Sequence, residues 1–294
     1  IGTRQLERIA RKMKEIGAKL VLVGDPDQLQ PIEAGTPFRD VVERCGAARL
    51  TEIHRQREDW QKRASRDLAE GRVAEAVEAY EAQGAVRAGE DAFEALVESY
   101  AMGVIADSQA DDGASISRLA FAHRRKDVHE LNQAIRAAIR SGEAPTVETL
   151  VETETGPRAF AEGDRIVFGR NDRALGVKNG VLGTVERADA RRMVVRLDGE
   201  GGETRRVTFD PQVYRHIDHG YAVTIHKSQG ATVDEAYVLA SRSMDRHLAY
   251  VAMTRHRDRM RLFLRPDDRP NWAPTIGRDA RRRDAPRRSG PTMG

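Results

Sequence analysis

The chain has 294 residues, 39% of them hydrophobic, enough for a real core in one large domain or two modest ones. No stretch approaches the roughly eighteen consecutive apolar residues of a membrane span, and "IGTRQLERIARKMKEIG" lacks the apolar centre of a signal peptide, so a cytoplasmic protein without a membrane span is expected. The net charge of +3 sets no partner by itself, and the single cysteine excludes an internal disulfide and fits a reducing compartment.

In chain order, Leu6, Ile9, Ala10, Met13 and Ile16 recur at helical steps and Gly17 closes the helix they predict. The run "KLVLVG" that follows (Lys19 to Gly24) reads as a strand buried on both faces, half of a parallel α/β unit. Such a strand needs parallel neighbours, and nothing precedes the first helix to supply them, so the chain is expected to begin inside a domain. Cys45, with no histidine beside it as a base, reads as an inert packing residue. Arg49 to Ile53 is a short strand, the stretches Trp60 to Tyr80 and Asp91 to Ile105 are helical, and a loop spans Gly103 to Ser115. Ile116 to Ala122 is a buried strand and Lys126 to Arg140 a helix.

From Gly163 to Asp210 the pattern changes. "DRIVFG", "LGTVERA", "MVVRLD" and "RRVTF" alternate at period two between turn-rich segments, which predicts a small antiparallel barrel inserted into an α/β domain. "YAVTIHKSQGAT", "EAYVLAS", "RHLAYVAMTRH" and "RMRLFL" then restore the strand and helix alternation. From Arg265 to Gly294 eight arginines face four aspartates among Pro and Gly, so 266–294 is expected to be a disordered basic tail, suited equally to nucleic acid or to a solvated linker. The expected division is 1–48, then 49–162 with 211–265, the insertion 163–210, and the tail.

Four patches concentrate polar residues at strand ends, where open α/β sheets place ligands. They are "GDPDQLQPIEAG" from Gly24, "LTEIHRQ" from Leu50, "TIHKSQGAT" from Thr224 and "YVAMTRHRD" from Tyr250. Each has a structural reading on its own: a glutamine holding a turn, surface ion pairs for Arg55 and Arg255, a satisfied core histidine for His226. Gly230 is small enough to bring backbone close to an anion.

Together, in this order and spacing, the four patches resemble the later half of a superfamily-one DNA helicase motor of the RecD-like type. The match is nearest the helicase portion of the Ti-plasmid-type conjugative relaxase-helicases. Motif III of that family is matched by Gly24, Asp25, Gln28, Leu29 and Pro31, and motif IV by Arg55. Motif V is matched by Thr224, His226, Ser228, Gln229, Gly230 and Thr232, and motif VI by Thr254 and Arg255. The resemblance implies the remainder of a first RecA-like domain in 1–48, a second RecA-like domain in 49–162 and 211–265, and an SH3-like barrel in 163–210. It implies that ATP is bound with Mg²⁺ by Gly24, Asp25, Gln28, Arg55, Gly230 and Arg255, that Gln28 senses the γ-phosphate, and that Arg55 and Arg255 act as arginine fingers. Single-stranded DNA would meet Leu29, Pro31, Thr224, His226, Lys227 and Ser228, and the barrel loop at Asn171, Arg173, Lys178 and Asn179.

The sequence contains no G-x-x-x-x-G-K-[ST] loop and no Asp-Glu pair to hold magnesium, which the family carries upstream of the equivalent of Ile1. The metal ligands are therefore expected upstream, the chain alone is expected to be inactive, and a relaxase domain in a longer chain is the expected partner. His216 and His219 lack a third partner and read as structural. Two alternatives stay open: a truncated, non-hydrolysing single-strand-binding module, and the motor of a repair or recombination helicase.

Overall fold

The computed structural model describes residues 2–25, 37–48, 52–109, 116–141, 146–199, 205–228 and 230–273. Its elements, in order, are α1 (Thr3–Glu15), α2 (Pro37–Cys45), α3 (Asp59–Ala69), α4 (Val73–Ala82), β1 (Val86–Ala88), α5 (Ala92–Gln109), β2 (Arg118–Ala122) and α6 (Arg125–Arg140). There follow β3 (Thr149–Thr153), β4 (Gly156–Phe160), β5 (Arg165–Phe168), β6 (Leu182–Ala188), β7 (Met193–Leu197), β8 (Arg205–Phe209) and β9 (Ile217–His219). The last are β10 (Ala222–Thr224), β11 (Val233–Ala240), α7 (Arg246–Met253), β12 (His256–Leu264) and a short 3₁₀ turn, Pro266–Asp268.

Five strands make a parallel sheet in the order β1-β12-β11-β2-β10. Both faces are covered, and the period-two alternation of each strand decides which residue serves which face. In β2, Leu119 and Phe121 join Leu68, Tyr80, Leu248 and Val251 of α3, α4 and α7, while Ala120 and Ala122 join Leu96, Tyr100, Leu131 and Ile135 of α5 and α6. The apolar run Leu119 to Ala122 is the sequence signature of this two-sided burial, and all five residues of β2 are buried, Arg118 paired with Asp107 and Glu235.

The second sheet is antiparallel, in the order β8-β7-β6-β5-β9, with its own core around Phe168, Val185, Val195, Phe209 and Tyr214. The four segments expected in 163–210 form strands β5 to β8. A fifth, β9, pairs with β5, and Val151 and Phe160 of the β3-β4 hairpin complete the core, so the unit draws on residues either side of that span. Asp164 fixes this sheet to the parallel one. It is fully buried, accepts from Arg136 Nε at 3.0 Å, Arg140 Nε at 3.1 Å, Tyr221 Oη at 2.9 Å and the Ala161 N–H at 2.8 Å, and thereby ties β5 to α6 and to the residue preceding β10.

Several sequence expectations change. Lys19 to Gly24 forms no strand, and Val21 and Val23 are 70% and 92% exposed. Among the described residues no strand runs beside it, so neither the hydrogen-bond ladder nor the burial that its composition suits is supplied. Glu52 and Ile53 are likewise outside any strand, and 49–51 lies outside the described residues. The helix expected over Trp60 to Tyr80 is split at Gly71, whose φ of +80° ends α3. α5 continues through Gly103 to Gln109, because a single glycine weakens a helix without ending it. Cys45 is exposed, not packed. The tail is anchored at its start: Asp268 accepts the Arg242 N–H at 3.0 Å and Trp272 Nε1 donates to Met244 O at 2.7 Å, so 266–273 is folded onto the body. Residues 274–294 lie outside the described residues. No described helix is long and apolar enough to cross a membrane.

Candidate functional site at the two edges of the parallel sheet

α7 runs from the carboxyl edge, where Asp245 caps it by accepting the Leu248 N–H at 2.8 Å, to the amino edge, where it ends as Thr254 turns its hydroxyl back to Tyr250 O at 2.7 Å. Arg255 therefore falls at the elbow between α7 and β12. It is 2% exposed, and its Nε donates to Val251 O at 2.8 Å. Arg55 reaches the same elbow from the other side, donating through Nε to Thr232 Oγ1 at 3.1 Å and through Nη1 to Thr254 O at 2.7 Å. The Arg255 carbonyl in turn accepts the Val233 N–H at 3.0 Å, which holds the start of β11 beside the elbow.

The charges here are incompletely compensated: Tyr250 and Asp25 draw the Arg255 guanidinium upward, but less than burial and Arg55 pull it down. Among the described residues neither arginine forms an ion pair. Burial, and after it the positive charge of Arg55, pulls the Arg255 guanidinium down to about 10, and burial lowers Arg55 as well. Both remain cations at neutral pH. Tyr250 Oη donates to Asp25 Oδ2 at 2.9 Å, which brings the Gly24-Asp25 segment to the face of α7. Gly24 passes so close to Phe38 that a Cβ would sit 3.3 Å from the ring. Gln28, Leu29 and Pro31 lie outside the described residues.

The carboxyl edge is built from the end of β10. Thr224 O accepts from the Lys227 N–H at 2.9 Å and from the Ser228 N–H at 3.2 Å, a tight turn that exposes His226 and Lys227. Ser228 does not join them. It is 1% exposed and its hydroxyl donates to Ile225 O at 2.7 Å, so it holds the turn from inside instead of facing a strand. From here the chain runs through Gly230, at φ +89° with open space where a Cβ would stand, to Thr232 beside Arg55. One segment thus joins the two edges.

The loop from Asn171 to Gly180 meets this turn. A Cβ on Gly180, at φ +89°, would lie 3.2 Å from Lys227 O. Asn171 Oδ1 accepts the Asn179 N–H at 2.8 Å and an isolated bridge joins Asp172 to Val177, and Arg173 and Lys178 of this loop are exposed. His219 is buried with Nε2 3.0 Å from Ala159 O, and His216 lies 2.6 Å from Glu154, so neither faces either edge. Among the described residues no three potential ligands gather as a metal site. Three contributors were missed by the motif reading: Gln56, whose Nε2 donates to His256 O at 2.9 Å; Thr232, quoted but given no role; and Tyr250. All three stood inside the quoted patches, Gln56 and Thr232 at the end of theirs and Tyr250 at the start of its own, but the resemblance gave none of them a role.

Residues 1–91 match the AAA domain family and residues 178–264 match the viral superfamily 1 RNA helicase core domain. Together with the relatives below, these likenesses are to superfamily-one helicases of the RecD-like type. It is 46% identical over 263 residues, 90% of its length, to the probable conjugal transfer protein TraA of Sinorhizobium fredii, and equally so to the conjugal transfer protein TraA of Rhizobium radiobacter. The chain spans 23% of each of these curated relatives. The ATP-dependent RecD2 DNA helicase of Deinococcus radiodurans is 28% identical over 83% of this chain and 32% of that protein. Among solved structures, a Bacteroides Pif1 helicase in complex with ADP-AlF3 and single-stranded DNA shares the fold, with a TM-score of 0.52, 19% identity, and coverage of 87% of this chain and 66% of that one.

Proposed function

We propose that this chain is the later part of an ATP-dependent DNA helicase motor that couples ATP hydrolysis to movement along single-stranded DNA, serving conjugative plasmid transfer. The observation that carries the reading is the convergence of Arg55 and Arg255, two cations without an ion-pair partner among the described residues, at the end of the same segment that begins with the exposed His226-Lys227 turn. A polyphosphate fits there: the site is short of negative charge, and planar guanidinium forks suit phosphate oxygens. ATP supplies a γ-phosphoryl group whose charge spreads over its oxygens during transfer.

The residues of this chain divide the work. Thr232 and the Thr254 carbonyl fix the Arg55 fork, and the Val251 carbonyl fixes Arg255, so both cations are oriented before any ligand arrives. Gly230 allows the backbone to approach the nucleotide. Gln28 is read as the sensor, with Leu29 and Pro31 touching the strand, and magnesium is read as held by carboxylates of a longer chain. His226, Lys227 and Thr224 hold the strand with Asn171, Arg173, Lys178 and Asn179. On this reading 1–48 continues a first RecA-like domain, 49–162 and 211–265 form a second, and the antiparallel sheet is an SH3-like strand guide.

The test is Arg255→Lys in a protein that carries the phosphate loop upstream. DNA-stimulated ATP turnover is expected to fall on the order of 10³-fold while DNA binding is retained. Normal turnover with a lowered melting point would reduce Arg255 to a structural cation.

A further inference from the structure

A parallel sheet brings its strand ends to one edge, and here four of them carry polar residues. In the spatial order β12, β11, β2, β10, those ends are followed by Arg265, by Arg242 and Ser243, by His123 and Arg124, and by His226 and Lys227. With adjacent strands about 4.8 Å apart, the row crosses roughly 15 Å. Only its last two residues belong to the helicase motifs.

The cations of this row are not equivalent. Arg124 is paired with Asp127 and Asp268, and Arg265 stands 3.7 Å from both of those carboxylates. Arg242 is exposed, and its guanidinium donates to a backbone carbonyl, Asp267 O, at 2.8 Å through Nη2, without a carboxylate partner among the described residues. Its backbone N–H is held by Asp268 at 3.0 Å, so its stem is fixed while the remaining guanidinium donors are open. Next along the row, Ser241 Oγ lies 3.0 Å from Ser243 Oγ, which lies 2.8 Å from His123 Nδ1. That chain sets the His123 ring 5.7 Å from the exposed His226 ring, with 34° between their planes. A cavity of about 590 Å³ opens beside Arg242 and Ser243.

An exposed cation whose guanidinium pairs with no carboxylate among the described residues, next to one exposed and one half-buried flat ring, is the combination that single strands recognise without reading sequence: charge for the backbone and a face for the base. We propose that Arg242 and His123 extend the strand path beyond the His226-Lys227 turn, Arg242 contacting phosphate and His123 offering its ring to a base, with Ser243 positioning that ring. The proposal rests on the strand-binding reading of this edge.

The experiment is titration of a labelled oligothymidylate with this chain across a range of salt, without nucleotide, for wild type, Arg242→Gln, His123→Ala, His123→Phe and Lys227→Ala. Arg242→Gln is expected to weaken binding and to lower the salt slope by about 0.7, one released counterion on a single strand. His123→Ala is expected to weaken binding at least about fivefold at every salt with the slope unchanged, and His123→Phe to retain it because the stacking face persists. Wild-type affinity and slope in Arg242→Gln and His123→Ala, with Lys227→Ala weakened, overturns the extension and leaves the original path standing. If the chain binds no strand at low salt, or Lys227→Ala also binds as wild type, the strand path along this edge fails as a whole.

Discussion

The two edges of the parallel sheet hold cations in opposite settings. At the amino edge, Arg255 is buried and held by a helix carbonyl, with a second arginine beside it and no ion pair among the described residues. At the carboxyl edge, Lys227, Arg173, Lys178 and Arg242 are exposed. Burial makes a cation costly unless an anion joins it, so the first arrangement suits one ligand of fixed geometry, whose binding relieves the site. Exposure costs little and yields contacts that salt screens, which suits a strand that must be gripped and released regardless of sequence. The segment from Thr224 to Thr232 links the two, so a change in one edge has a short covalent route to the other.

The comparison depends on the antiparallel sheet being fixed beside the carboxyl edge, and Asp164 is the joint. Asp164→Ala leaves Arg136 and Arg140 facing a buried site without their carboxylate, and is expected to cost about 3 kcal/mol in urea unfolding. A loss below about 1 kcal/mol would show that apolar packing alone seats the sheet. The next effect belongs to the amino edge. His256 is buried with Nε2 3.2 Å from Tyr80 Oη, and burial pulls its imidazole down from 6.5 to about 4. The unfolded chain takes up this proton below 6.5 and the folded chain only near 4, so the stability is fully present above 6.5 and is lost as pH falls from 6.5 toward 4. The loss is expected to be on the order of 3 kcal/mol, and His256→Gln should flatten the pH dependence of the melting point in that window. An unchanged pH profile in the variant would assign the acid sensitivity elsewhere, to His219 first, which burial also lowers. The smallest effect tests the contact between the barrel loop and the strand turn. Gly180→Ala meets both a positive φ and the Lys227 carbonyl, and should cost about 1 kcal/mol and weaken strand binding while leaving the amino edge intact. Strand affinity equal to wild type would separate the loop from the path.

Much of this was legible in the sequence, and for identifiable reasons. The buried run Arg118–Ala122 and the alternating segments of the antiparallel sheet announced themselves because periodicity reports burial directly. Arg55 and Arg255 were singled out because the four motifs that carry them are specific in combination, and the structure brings the two side chains to one elbow. The failures fall where tertiary partners decide. "KLVLVG" has strand composition but no neighbour among the described residues, and composition cannot supply one. Ser228 follows the exposed His226 and Lys227 in its motif, yet the turn points its hydroxyl inward to Ile225 O. β9 and the β3-β4 hairpin are short, and Ile217–His219 is too brief to show a period. His123 and Arg242 were invisible because they come together only through the order of strands in the sheet, with 118 positions between them in sequence.

The central claim is that one edge acts on the nucleotide and the other on the strand. It is tested most directly by measuring both DNA-stimulated ATP turnover at saturating DNA and DNA affinity for Arg255→Lys and Lys227→Ala in a protein carrying the phosphate loop. The account predicts that Arg255→Lys loses on the order of 10³-fold in turnover with affinity within about twofold of wild type. It predicts that Lys227→Ala loses affinity and salt slope, with turnover restored once DNA is saturating. Turnover and affinity falling together by similar factors in both variants would contradict the separation of the two edges.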